Sequence, residues 1–95
     1  MFPGSTSKLS ESVVVSAATI SVKTDFVRLT GVVQIETIVP NFGGGFSGVL
    51  FIASTSGLVL GASGNILVGA TLVANRLYTL VFSKLQQKWY IHAVV

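Results

Sequence analysis

The sequence predicts an all-β domain, a small antiparallel β-sandwich or barrel preceded by an extended N-terminal arm. Three observations predict it. Short runs rich in Val, Ile, Thr, Phe and Tyr recur along the chain, separated by Gly, Ser, Asn or Asp. These residue types suit a pleated, half-buried surface, and a spacing of roughly 8–12 residues is that of a sandwich or barrel. No segment sustains a 3.6-residue apolar period with a cap at each end, as an amphipathic helix would. Finally, 51% of the 95 residues are hydrophobic and only 9% are charged, where an average domain carries about 25% charged residues. A lone small monomer of that balance would leave a large apolar area in water. The composition therefore points to a protein that buries surface against other chains.

The elements follow in order. Residues 1–12, MFPGSTSKLSES, have turn and loop composition with apolar points at Met1, Phe2 and Leu9, and form the arm. Residues 13–95 form a single β-domain. Its candidate strands are residues 13–22, 26–29, 32–39, 48–54, 58–60, 66–68, 77–83 and 88–94. Within 32–39, Gln34 and Glu36 alternate with Val33, Ile35, Thr37 and Val39, as in a half-solvated antiparallel strand. Within 77–83 both faces are apolar: Tyr78, Leu80 and Phe82 on one, Leu77, Thr79 and Val81 on the other. Such a strand calls for cover on both sides, from a second sheet and a second subunit. Residues 56–62 and 63–70 echo one another and read as a hairpin folded at 61–65. The best helix candidate, 69–77, is too short to hold as one. Pro40 ends its strand, since it cannot donate to a ladder. The glycine loop 41–48 then carries Phe42 and Phe46, which either plug one end of the barrel or touch a partner.

Little in the chain can carry chemistry. Residues 43–48, GGGFSG, satisfy G-x-G-x-x-G literally, but no capped helix follows and no acid occurs after Glu36, so the dinucleotide reading fails. The chain has no cysteine and one histidine, His92, which excludes a disulfide framework and a metal-ligand cluster. Asp25 and His92 are the members available for a Ser/His/Asp arrangement. His92 shares its strand face with Tyr90 and Val94, opposite Trp89, Ile91 and Ala93, and reads as a surface or interface residue. The expectation is no enzyme, no cofactor and no metal. The basic residues Lys8, Lys23, Arg28, Arg76, Lys84 and Lys88 are scattered rather than clustered as in nucleic-acid binders, so no direct nucleic-acid partner is expected. Residues 57–74 are uncharged and reach the length of a membrane helix. Four glycines with Ser63, Asn65 and Thr71 interrupt the apolar surface such a helix needs, so no membrane partner is expected. The first residues also lack a secretory-signal pattern.

The candidate partner contacts are Phe2, Leu9, Arg28, Phe42, Phe46, Tyr90 and His92. Arg28 shares a strand face with Phe26 and Thr30, and with Asp25 it is positioned to bridge subunits. Trp89 suits a core or an interface equally.

The ordered set Thr24-Asp25-Phe26-Val27-Arg28-Leu29-Thr30-Gly31, Ile35-Glu36-Thr37-Ile38, Gly45-Phe46-Ser47-Gly48, Gly64-Asn65-Ile66, Val73-Ala74-Asn75-Arg76 and Lys88-Trp89-Tyr90 resembles a small β-domain of tailed-bacteriophage virion proteins. It covers roughly residues 22–92. The chain departs from that pattern at 83–88, which lacks the usual Asp-Gly turn, and in its apolar residues 91–95. Such domains are similar to capsid decoration (cement) proteins and to fibre or spike modules. The resemblance implies a structural role, commonly as a homotrimer, and no catalytic residues. The expectation is a decoration protein on the capsid surface that binds the major capsid protein or another virion protein. Its arm would add a strand to a neighbour's sheet edge, with Phe2 and Leu9 in pockets. The alternatives are a receptor- or glycan-binding module of a tail fibre or spike, and a small membrane protein of the lysis type.

Overall fold

A computed structural model describes residues 11–44 and 46–92. Its strands are β1 (Glu11–Val15), β2 (Thr19–Val22), β3 (Phe26–Thr30), β4 (Thr37–Pro40), β5 (Val49–Ser54), β6 (Leu58–Leu60), β7 (Ala70–Leu72), β8 (Leu77–Ser83) and β9 (Lys88–His92), with a single 3-10 turn at Phe42–Gly44. One layer is a five-stranded sheet in the order β1-β3-β5-β8-β9. Against its inner face pack the pairs β2-β4 and β6-β7, and all of these strands contribute to one core.

The all-β class is the one expected, but the pairing is mixed rather than antiparallel throughout. β1, β3 and β5 run parallel, and so do β2 and β4. A parallel bridge between Ile35 and Leu60 sets β6 beside the residues that lead into β4. The chain thus alternates layers, β1 to β2, β3 to β4, β5 to β6, and winds as a coil of three turns. β8 and β9 close the first layer by antiparallel pairing, and β7 does the same for the second.

The links explain why β1 and β2, β3 and β4, and β5 and β6 are not hairpins. A hairpin turn returns the chain beside its own strand, whereas residues 16–18, 31–36 and 55–57 carry it across to the other layer. Ser16 makes the first corner. Its N–H donates to the Thr30 carbonyl at 2.8 Å, and its Oγ accepts from the Val33 N–H at 3.0 Å. The expected strand 13–22 therefore breaks into β1 and β2. Gly31 (φ 84°) and Gly57 (φ 79°) turn the next two corners, in a backbone region open to glycine without a side-chain clash.

Other boundaries move for related reasons. β1 includes Glu11 and Ser12, which pair with Phe26 and Val27, so the strand begins inside the expected arm. Residues 1–10, with Phe2 and Leu9, lie outside the described residues. Residues 66–68 give one bridge, from Ile66 to Trp89, and β6 pairs instead with β7, inside the short helix candidate. The uncharged stretch 57–74 is therefore a hairpin. Among the described residues no helix is long and apolar enough to cross a membrane.

The core is sealed where β9 meets the second layer. Trp89 is fully buried, and its indole N–H donates to the Ile38 carbonyl at 2.9 Å. Phe82 packs edge-on to it at 5.1 Å between centroids, with Phe46 at 5.7 Å. Asn65 bonds in both directions. Its backbone carbonyl accepts from the Trp89 N–H at 2.8 Å. Its side chain pairs with Ile38 as a neighbouring strand would, accepting from the N–H at 2.8 Å and donating to the carbonyl at 2.6 Å.

Candidate functional site

Side chains along a strand alternate between faces, and the register of the first sheet sorts them cleanly. Val27, Leu29, Leu50, Ile52, Tyr78, Leu80 and Trp89 are buried on the inner face. The outer face is built of rows across the strands. One row is Glu11, Phe26, Phe51 and Thr79; the next is Val13, Arg28, Ala53 and Leu77; a third is Val49, Val81 and Tyr90.

Nothing in the described chain covers this face. Val13 is 61% exposed, Leu77 56%, Val81 46% and Tyr90 49%, and Val15 extends the apolar surface beyond Val13. The expectation that β8 needs cover on both sides thus meets a core on one side and open surface on the other. Contiguous apolar exposure of this kind marks an interaction site. The face carries one ion pair, Arg28 Nη2 to Glu11 Oε2 at 2.6 Å. At half exposure such a pair is worth about 0–1 kcal/mol, so it orients the guanidinium more than it holds the fold.

The sequence-named contacts divide. Arg28 and Tyr90 both lie on the outer face, and the Tyr90 hydroxyl donates to Gln86 Oε1 at 2.7 Å. His92 occupies the strand position opposite Thr79. Phe42 sits elsewhere, at one end of the sandwich, against Phe46 and Phe82, with the Lys84 ammonium 4.7 Å from its ring centre. Phe46 is buried and cannot serve as a contact. It fills the space beside Trp89, because the loop turns its ring under Phe42. Trp89 likewise belongs to the core.

The acids are taken up within the chain. Arg28 pairs with Glu11 rather than with Asp25, whose Oδ1 accepts from the Ser47 hydroxyl at 3.1 Å and N–H at 3.4 Å. Val13, Phe51, Leu77 and Val81 were not among the named contacts. The alternation was present in their strands, but the shared face emerges only when the rows are in register.

Glu36 ties the second layer to the loop after β6. Its carboxylate accepts from the Ser63 hydroxyl and N–H and from the Gln34 amide. The Ser63 bonds chiefly, with Gln34 assisting, hold its pKa below the usual glutamate value. A carboxylate depressed in the folded state adds stability above its unfolded pKa and loses it as pH falls through the folded one. Replacing Glu36 with Gln should therefore flatten the fall of the thermal midpoint between about pH 5 and pH 3. Identical acid slopes for the two proteins would show that these bonds contribute nothing.

The outer face offers apolar side chains, the Arg28 guanidinium and the Tyr90 hydroxyl. Comparison with family models, with curated proteins and with solved structures finds no match for this chain.

Proposed function

We propose that this protein is a structural component of a larger assembly and docks through the outer face of its five-stranded sheet. The uncovered apolar rows of that face carry the reading. The setting is proposed from the resemblance in the sequence: a decoration protein on the head of a tailed bacteriophage, bound to capsid subunits. The homotrimer belongs to the same proposal. Val39 and Val59, exposed on β4 and β6 of the second layer, are a surface left for it. The glycan-binding alternative has less support, since Phe46 and Trp89, two of the rings it would use for stacking, are in the core.

Val81→Asp tests the docking surface. The side chain is exposed and central in its row, so the change should leave the domain's own stability within about 0.5 kcal/mol. It should weaken co-sedimentation with undecorated heads of the parent phage at least tenfold, by burying an unpaired charge at the interface. Wild-type co-sedimentation retained by the variant would remove the face from the docking reaction. Light scattering on the purified protein reads the oligomer, and a monomer at micromolar concentration would remove the trimer.

A further inference from the structure

The outer face is not uniformly apolar. Arg28, Ala53 and Leu77 are neighbours in one row across β3, β5 and β8, and Arg76 immediately precedes Leu77. Asn75 adopts a left-handed backbone (φ 63°) and donates its N–H to the Ser54 carbonyl at 2.8 Å, which anchors Arg76 at the end of β5. The two arginines therefore stand on either side of Ala53, with backbones two strand spacings apart, about 10 Å. The small alanine leaves a hollow of about 380 Å³ between them, walled by Phe26 and Leu77 and bordered by Thr55.

The charges in this hollow are unbalanced. Glu11 neutralises Arg28. Arg76 has no acidic partner among the described residues. A second copy of this chain does not meet the need. All three acids, Glu11, Asp25 and Glu36, already accept hydrogen bonds inside the chain, and a copy docked face to face would bring its own arginines. Like charges brought together across an interface suppress that pairing.

Resting on the docking reading above, we infer that the partner at this face is a different protein. It presents an aspartate or glutamate side chain, flanked by apolar residues, that enters the hollow between Arg28 and Arg76. A planar guanidinium binds a carboxylate by two parallel hydrogen bonds, and the rows of Val13, Val81 and Tyr90 receive the apolar flanks.

The test uses the full-length protein and undecorated heads, with Arg76→Glu, Arg76→Lys and Val81→Asp compared across a salt series. Arg76→Glu should weaken binding at least tenfold, while Arg76→Lys, which keeps the charge but not the two parallel hydrogen bonds, should lose clearly less than Arg76→Glu. Raising salt from about 0.05 to 0.3 M should weaken wild-type binding and affect Arg76→Glu much less. If Val81→Asp abolishes binding and Arg76→Glu does not, the docking face stands and the acidic partner is wrong. If neither change matters, the docking reading itself falls. If Val81→Asp breaks a self-association that Arg76→Glu leaves intact, the occupant is a second copy and the inference is overturned. Equal loss of affinity for a random DNA duplex and for heads on Arg76→Glu would also overturn it, by showing a general polyanion site.

Discussion

Trp89→Ala should lower the unfolding free energy by about 3–5 kcal/mol, the range for truncating a buried aromatic. A domain of this size holds only about 5–14 kcal/mol in all, so the variant should melt far below the wild type or fail to accumulate as folded protein. The cost has two parts. Removing the indole empties the space that Phe46 and Phe82 border, and packed interiors relax only partly into such a space. It also removes the donor to the Ile38 carbonyl. Trp89→Phe separates the two parts. It keeps most of the volume, and the Ile38 carbonyl still accepts from Asn65, so the loss should be about 1–2 kcal/mol. Urea unfolding followed by circular dichroism reads both variants. An alanine variant within about 1 kcal/mol of wild type would mean that the tryptophan does not seal the core.

The second large effect belongs to a residue whose local sequence reads as a turn. Asn65→Ala should cost about 2–4 kcal/mol, because the Ile38 N–H loses its acceptor in a part-buried place and the Ile38 carbonyl loses one of its two donors. Asn65→Asp supplies a check with a definite sign. An ionised aspartate can still accept from the Ile38 N–H, but its other oxygen faces the Ile38 carbonyl. The folded state then favours the protonated acid, which raises the variant's folded pKa above the unfolded value near about 3.9. Its deficit relative to wild type should be largest at neutral pH and shrink as pH falls toward that value. A deficit that does not change with pH would show that position 65 does not pair with Ile38.

These two residues mark what the sequence could and could not convey. The β class was legible because Val, Ile, Phe and Thr runs with turn residues between them are local signals, and β3, β5 and β8 fell close to their expected positions. The winding was not. Whether residues 16–18 make a hairpin or a corner depends on the Ser16 Oγ meeting the Val33 N–H, a contact between residues far apart in sequence. Trp89 remained divided between core and interface because period-2 alternation tells which residues share a face, not which face is inside. The outer face was half legible. Arg28 and Tyr90 were named, and the doubly apolar β8 was noticed. Val13, Phe51 and Val81 gain their shared meaning only from the register that carries across β1, β3, β5 and β8 in turn. Phe46 was misleading because a glycine loop reads as exposed, while its ring is needed to fill the space beside Trp89.

The coil has a further consequence, in time rather than in space. A ribosome releases the turns of the coil in order, so β1 to β6 emerge as apolar segments before any of β7, β8 and β9 exist to close them. The residue that seals the core, Trp89, arrives after nearly every strand it seals, and β5 waits for β8 across more than twenty residues. During that interval the young chain is a set of open parallel edges with few charges to keep it apart from its neighbours. The low charge of the chain therefore leaves its open edges poorly protected against pairing with other chains while it is being made. For this chain, rapid closure by the last three strands matters as much as the stability they confer.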